Sequence, residues 1–364
     1  MSAQSEGRGT RRFLHALTLL TLLAGSVFLT YDLRKDEQAK APAVQVITDT
    51  PDLTSAGDAE PGEPGEPTWE RLSNPARSAL RGKDGDVLAT FTDGARTATL
   101  TGPSRTFAEP ADTNSRVVTE NWVRLMPAVW KKGAEKEKWF MDWYGEFAGN
   151  EEDDLLAHAF QYVEGAPVKK DAKGIAYAGD AAYGPINPAG GEARDLRLEQ
   201  SDFYDYLGSP HTFSDGVTAR PKSARYRSVD CSGFMRLIFG YRAHFPLMSS
   251  DTSGAGLPRT ANGMARSTVG TDIIKLSGPA PEYERPNLIS VLQPGDLVFF
   301  ELDNDTDDRL DHVGMYLGND RDGHQMFVSS RKEVNGPTIG DIGGTSRLDG
   351  NGYYATALRS AKRL

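Results

Sequence analysis

One cysteine in 364 residues rules out an intramolecular disulfide, so this chain must fold on apolar burial alone. That cysteine, Cys231, stands in the run Ser228-Val229-Asp230-Cys231-Ser232-Gly233-Phe234-Met235-Arg236-Leu237-Ile238-Phe239. Small and acidic residues give way there to an apolar helical pattern, which predicts a thiol at the opening of a helix. N–H groups of a first helical turn lack intrahelical acceptors and carry the positive end of the dipole, so they favour a thiolate and with it a nucleophile. The competing expectation is a buried free cysteine acting as a small hydrophobe. Position favours the nucleophile, because Leu237, Ile238 and Phe239 supply apolar surface further along while Cys231 occupies the helix mouth.

A cysteine nucleophile needs a histidine base from elsewhere in the chain. Downstream, the Pro294-Gly295-Asp296 turn opens the apolar run Leu297-Val298-Phe299-Phe300, and Asp311 leads into His312-Val313-Gly314-Met315-Tyr316-Leu317. Both runs predict strands. In the second, Val313, Met315 and Leu317 alternate with His312, Gly314 and Tyr316, which turns His312 away from the apolar face. This order of Asp-Cys-Ser-Gly helix, Pro-Gly-Asp strand and His-Val-Gly strand resembles the NlpC family of bacterial papain-like cell-wall cysteine peptidases. The likeness spans residues 203–364 and is silent on the rest.

The resemblance implies an α+β fold, a papain-like NlpC-type catalytic domain with its Cys at a helix N-terminus and its His on an antiparallel sheet. It makes Cys231 the nucleophile and His312 the base that takes its proton and later protonates the leaving amine. Backbone N–H groups at the helix mouth, that of Cys231 included, would hold the oxyanion. Asp230 and Ser232 flank the thiol as substrate-side residues, with Asp230 also suited to capping the helix. Arg259 suits a substrate carboxylate or a structural ion pair. No cofactor or metal is implied. The expected substrate is peptidoglycan, cleaved in its stem peptide after D-glutamate. An amidase or acyltransferase on the same core, or a catalytically weak wall-binding module, are the competing functions.

The residue that orients the base departs from the family pattern, which carries His, Asn or Gln near the start of the next strand. Gln325-Met326-Phe327-Val328-Ser329-Ser330-Arg331 places Ser329 there; His324 is an alternative because it stands at the usual sequence distance from His312, though at the edge of an expanded turn, and Ser330 is another because a one-residue slip exchanges the faces of a strand. The family's tyrosine about ten residues before its cysteine has no counterpart at that distance. A glycine-rich tail after Ser330 is expected to wall the cleft. The carboxylates between Asp303 and Asp308 lack the glycine and glutamate of a calcium loop and read as a solvated hairpin.

Ahead of this region, Arg8, Arg11 and Arg12 precede an apolar stretch at residues 13–31. That pattern predicts an exported protein, with residues 1–35 as a membrane anchor or a cleaved signal and the remainder outside the cytoplasmic membrane. Residues 36–67, rich in Pro, Gly, Asp and Glu, read as a disordered tether. Residues 68–199 form a mixed α/β accessory region, and 200–364 the peptidase domain. Within the accessory region, residues 88–92 and 97–100 predict a hairpin around Asp93-Gly94 and 117–147 are helical in character with a break at Pro127. A further helix over 151–163 is capped by Asn150. Trp122, Trp130, Trp139 and Trp143 have the spacing of core residues rather than of a sugar platform. A net charge of −10, without a basic cluster, excludes a nucleic-acid partner.

Overall fold

The computed structural model describes residues 67–109, 115–191, 196–303 and 309–364. The apolar stretch at 13–31 and nearly all of the expected tether lie outside them. Strands β1 (Thr68–Leu72), β2 (Arg77–Arg81), β3 (Val87–Thr92), β4 (Thr97–Ala108) and β5 (Arg116–Leu125) form an antiparallel meander in chain order. The hairpin about Asp93-Gly94 is present, with Gly94 at φ 82° in the turn where its lack of a Cβ is needed.

The helical reading of residues 117–125 is corrected. Along β5, Val117 and Thr119 are buried while Arg116, Val118 and Glu120 are exposed, the period of two that β-branched residues favour on a half-buried sheet. Helix α1 begins only at Lys138 and runs to Phe147. It seats Phe140 and Trp143 against Phe91 and Trp130, the last two stacked at 4.5 Å. Trp122, Trp130 and Trp143 are core residues, and Trp139 packs partly against them.

Helix α2 (Leu155–Phe160) starts later than Asn150 would cap it. Asp154 is the cap, accepting from Ala157 N at 2.9 Å, and its second oxygen accepts from Val123 N of β5 at 2.7 Å. A tertiary contact thus selects the cap, while Asn150 closes only a local turn to Glu152 N. Two short antiparallel pairs follow, β6 (Lys169–Lys170) with β7 (Ala176–Ala178) and, after α3 (Phe203–Leu207), β8 (His211–Thr212) with β9 (Thr218–Ala219).

The cysteine helix α4 (Cys231–Met235) continues in wider π-type turns through Arg236–Arg242. After α5 (Ala261–Arg266) come β10 (Thr271–Ile274), β11 (Leu297–Phe300), β12 (His312–Asn319), β13 (Gln325–Arg331), β14 (Gly336–Thr338), α6 (Tyr353–Ala357) and β15 (Leu358–Arg363). The strands make one antiparallel sheet in the order β10-β15-β11-β12-β13-β14. Both faces are buried. Val313, Met315, Leu317 and Val328 pack with Phe234, Leu237 and Ile238 of the cysteine helix. Phe300, Tyr316 and Phe327 pack on the other face with Leu348, Tyr354 and Leu358.

One core crosses the expected boundary at 199/200: Val117 and Val123 of β5 and Leu155, Leu156 and Ala159 of α2 join the cluster under the cysteine helix. The Leu364 carbonyl accepts from Arg96 N at 2.7 Å, and Arg363 grips Asp296 of the Pro-Gly-Asp turn through two bonds of 2.7 Å. These contacts fasten the last strand to the first sheet and to the turn that starts β11. Among the described residues, no helix is long and apolar enough to cross a membrane.

Candidate active site

Cys231 is where the sequence places it, at the N-terminus of α4. Asp230 is the cap, its Oδ1 accepting from Gly233 N at 2.7 Å and its Oδ2 from Gln200 N at 2.8 Å. Gly233 has no substitute there, since a Cβ would lie 2.2 Å from the Ser201 carbonyl oxygen. Arg259 reaches the same carboxylate at 2.7 Å and Ser232 Oγ at 2.7 Å, and lies 3.4 Å from Asp202, which also pairs with the fully buried Arg236 at 3.0 Å. Asp230, Ser232 and Arg259 are therefore brought together beside the thiol. They bond chiefly to one another, the ion-pair arrangement for Arg259. Burial alone would lift the Asp230 carboxyl, but the Arg259 charge brings it below its ordinary value.

The thiol donates to the Asp311 carbonyl, 3.9 Å away, at the start of β12. It is only 6% exposed. Burial, with the Asp230 and Glu199 carboxylates nearby, pushes the thiol pKa well up, contrary to what the helix dipole alone leads one to expect. Desolvation of a full charge outweighs the half-charge of a helix end. The resting group is a thiol.

His312, next to Asp311, is 7% exposed. It lies on the face of the sheet opposite Val313 and Met315, as the alternation implies, but that face is also buried. Its ring packs on Tyr354 at 5.5 Å and Phe300 at 5.9 Å. Its Nε2 is buried with no hydrogen-bond partner. Burial first, then the Arg331 and Lys332 charges, pull its pKa down to about 3. It is a neutral imidazole. The structure holds no hydrogen bond between His312 and Cys231, though the helix carrying one is pressed against the strand carrying the other.

Residues 215–361 match the NlpC/P60 family. That family comprises cysteine peptidases and hydrolases acting on peptidoglycan, and its domain implies the papain-like α+β fold whose helix-on-antiparallel-sheet arrangement is seen here. No curated protein matches the chain.

Within the NlpC/P60 region the three candidates for the orienting residue separate. Ser329 is fully buried on β13, and its hydroxyl accepts from Arg331 Nε at 3.0 Å rather than bonding to His312. Ser330 is on the other face, donating to the Val229 carbonyl at 2.7 Å. His324 sits in the turn before β13, half-exposed and paired with Asp349 at 2.7 Å. The glycine-rich tail folds around Arg331, whose guanidinium donates to the carbonyls of Gly340 and Gly344.

Two residues near the site escape sequence reasoning. Tyr183 is 3% exposed, its hydroxyl donates to Glu199 Oε1 at 3.3 Å, and burial together with the neighbouring Cys231, Glu199 and Asp230 raises its pKa. It lies far upstream among turn residues, where no motif marks it. Arg331 carries one legible signal: alternation puts Phe327, Ser329 and Arg331 on one face of β13, so a charge at that position has to be buried. A cavity of about 710 Å³ bordered by Glu109, Asp320 and Arg347 and a cleft of about 440 Å³ beside Trp139 and Trp143 are both lined without Cys231 or His312.

Proposed function

We propose that this protein is an exported cysteine peptidase that hydrolyses peptidoglycan stem peptides, cleaving after D-glutamate. The observation that carries the reading is the contact of the Cys231 thiol with the Asp311 carbonyl, which sets the helix-borne nucleophile against the strand that bears His312, inside the segment that matches the NlpC/P60 family. In the reaction, neutral His312 takes the thiol proton as the sulfur attacks the amide carbonyl. The N–H groups at the mouth of α4 receive the oxyanion. The imidazolium then protonates the leaving amine, and water releases the acyl group by the reverse path. Ser329, bonded to Arg331 Nε rather than to His312, supports the base only indirectly. Asp230, Ser232 and Arg259, bonded to one another, form the wall beside the nucleophile.

Both reacting side chains are buried and not hydrogen-bonded to each other, which fits an enzyme that is slow until substrate or a partner opens the site. The apolar stretch at 13–31 behind three arginines supports tethering to the outer side of the cytoplasmic membrane, with residues 36–67 as the spacer. The deciding test is mass spectrometry of purified muropeptides incubated with the full-length protein. A product cut after D-glutamate that is absent with Cys231→Ala supports the reading. Transfer products identify an acyltransferase, and binding without turnover identifies a wall-binding module.

A further inference from the structure

A base in a cysteine hydrolase is ordinarily steadied by a polar group behind its ring, and here His312 Nε2 has none. Across the Tyr354 ring from it stands a cation. Arg331 is 1% exposed, and among the described residues no carboxylate pairs with it. Its Nε donates to Ser329 Oγ at 3.0 Å, its Nη2 to Ser346 Oγ at 2.6 Å and its Nη1 to the Gly344 carbonyl at 2.6 Å. The guanidinium lies 4.3 Å over the Tyr354 ring, the same ring that packs on His312 at 5.5 Å. The last ladder pair between β12 and β13 is Met315 with Val328. Beyond that pair the two strands run on to His312 and Arg331, and the Tyr354 ring is the contact the two side chains share.

An unpaired buried cation is costly, and carbonyls, hydroxyls and an aromatic face offset that cost only because a whole loop, residues 340–346, is folded around it. We propose that Arg331 is a positioning residue for the reaction, standing through Ser329 and Tyr354 in the place behind His312 where the base-orienting group belongs. The inference rests on the peptidase reading for its catalytic consequence. Tyr354, pinned by the guanidinium, fixes the plane of the imidazole by packing. The fixed positive charge disfavours a second one on the ring, so His312 waits as a neutral base and becomes imidazolium only while the thiolate forms.

The other charged or titratable groups near His312 do not replace this one. Asp230 and Cys231 come from the cysteine helix, Tyr354 from α6, Lys332 from the end of β13 and Asp311 from the start of β12. Of the carboxylates, Asp230 is committed to Arg259 and to capping. Asp311 is committed to the Leu302 and Asp303 N–H groups. Lys332 is paired with Glu199 at 2.6 Å.

The test is the titration of His312 in the full-length protein, followed by two-dimensional 1H–15N spectra and assigned by the signal lost in His312→Gln. Wild-type His312 stays neutral to below pH 5. In Arg331→Met its midpoint rises by at least one pH unit, and in Arg331→Lys, which keeps the charge, it stays near wild type. A natively folded Arg331→Met whose His312 titrates as in wild type overturns the proposal. If Arg331→Met does not fold, Ser329→Ala decides. It keeps the charge but removes one of the groups the guanidinium holds, and lowers kcat on muropeptides about tenfold or more, with KM and the acid limb of the pH profile unmoved. An unchanged kcat in that variant overturns the proposal. The titration requires no substrate, so its failure is distinct from a failure to find hydrolysis.

Discussion

Removing the Asp230 carboxylate tests how the cysteine helix is held. In Asp230→Ala, Gly233 N, Gln200 N and the Arg259 guanidinium lose their acceptor together. The lost cap is worth about 1 kcal/mol, and breaking a buried ion pair from one side costs about 3–5 kcal/mol because the other charge stays buried. The two overlap, so the expected loss is about 4 kcal/mol, a large share of the roughly 5–15 kcal/mol that holds a domain. Arg259 retains Asp202 at 3.4 Å, which keeps the loss from running higher. Urea unfolding at pH 7 followed by circular dichroism reads it directly.

The Asp230 carboxyl is held below its ordinary value. Its contribution is therefore present above about pH 4 and is lost as the pH falls through the folded value, so the gap between variant and wild type narrows in acid. Adding Arg259→Met to Asp230→Ala leaves no stranded guanidinium, and the double variant loses less than the sum of the singles. A loss below about 1 kcal/mol in Asp230→Ala, the scale of a solvent-screened pair, refutes the argument.

Other outcomes follow from the same geometry. Cys231→Ala and Cys231→Ser abolish muropeptide hydrolysis with unchanged circular dichroism, and wild-type turnover in either ends the peptidase reading. His324→Ala changes turnover by less than about twofold, because the half-exposed ring pairs with Asp349 at the far end of β12 from the base; a crippled variant moves the orienting role to His324. Since burial holds the folded pKa of His312 at about 3 against about 6.5 for a free imidazole, the unfolded chain binds its proton first on acidification. Stability is lost as the pH falls from about 6.5 towards 3, and in His312→Gln the urea midpoint declines less steeply over that window. If the apolar stretch at 13–31 is an anchor, as its sequence leads one to expect, full-length protein fractionates with membranes and exposes its C-terminal region to external protease; a soluble form beginning near Val27 shows a cleaved signal instead.

The local readings that came true rest on short-range physics. Asp-Cys-Ser-Gly before an apolar run specifies a cap and a helix mouth, Pro-Gly-Asp specifies a turn into a strand, and the alternation from His312 to Leu317 assigns the faces of β12. The hairpin at Asp93-Gly94 belongs with them, because turn chemistry and β-branched flanks act within a few residues. The misreadings came where distant parts of the chain compete with local preference. Residues 117–125 carry mixed propensities, and the ladder with β4 made them a strand. Asp154 displaced Asn150 as a cap because its second oxygen meets β5.

The protonation states at the site also belong to the tertiary structure. A helix mouth favours a thiolate in any sequence context, but burial of Cys231 between α4 and β12 reverses that preference. The Arg331 guanidinium meets the Tyr354 ring that packs on His312 only when α6 and the 340–346 loop close around it. That a thiol stands at a helix mouth and an imidazole on a strand was legible in the chain as motif chemistry. Which charges surround them was decided by the packing of residues far apart in sequence, because desolvation and Coulomb interactions depend on the final distances and burial, which no local pattern encodes.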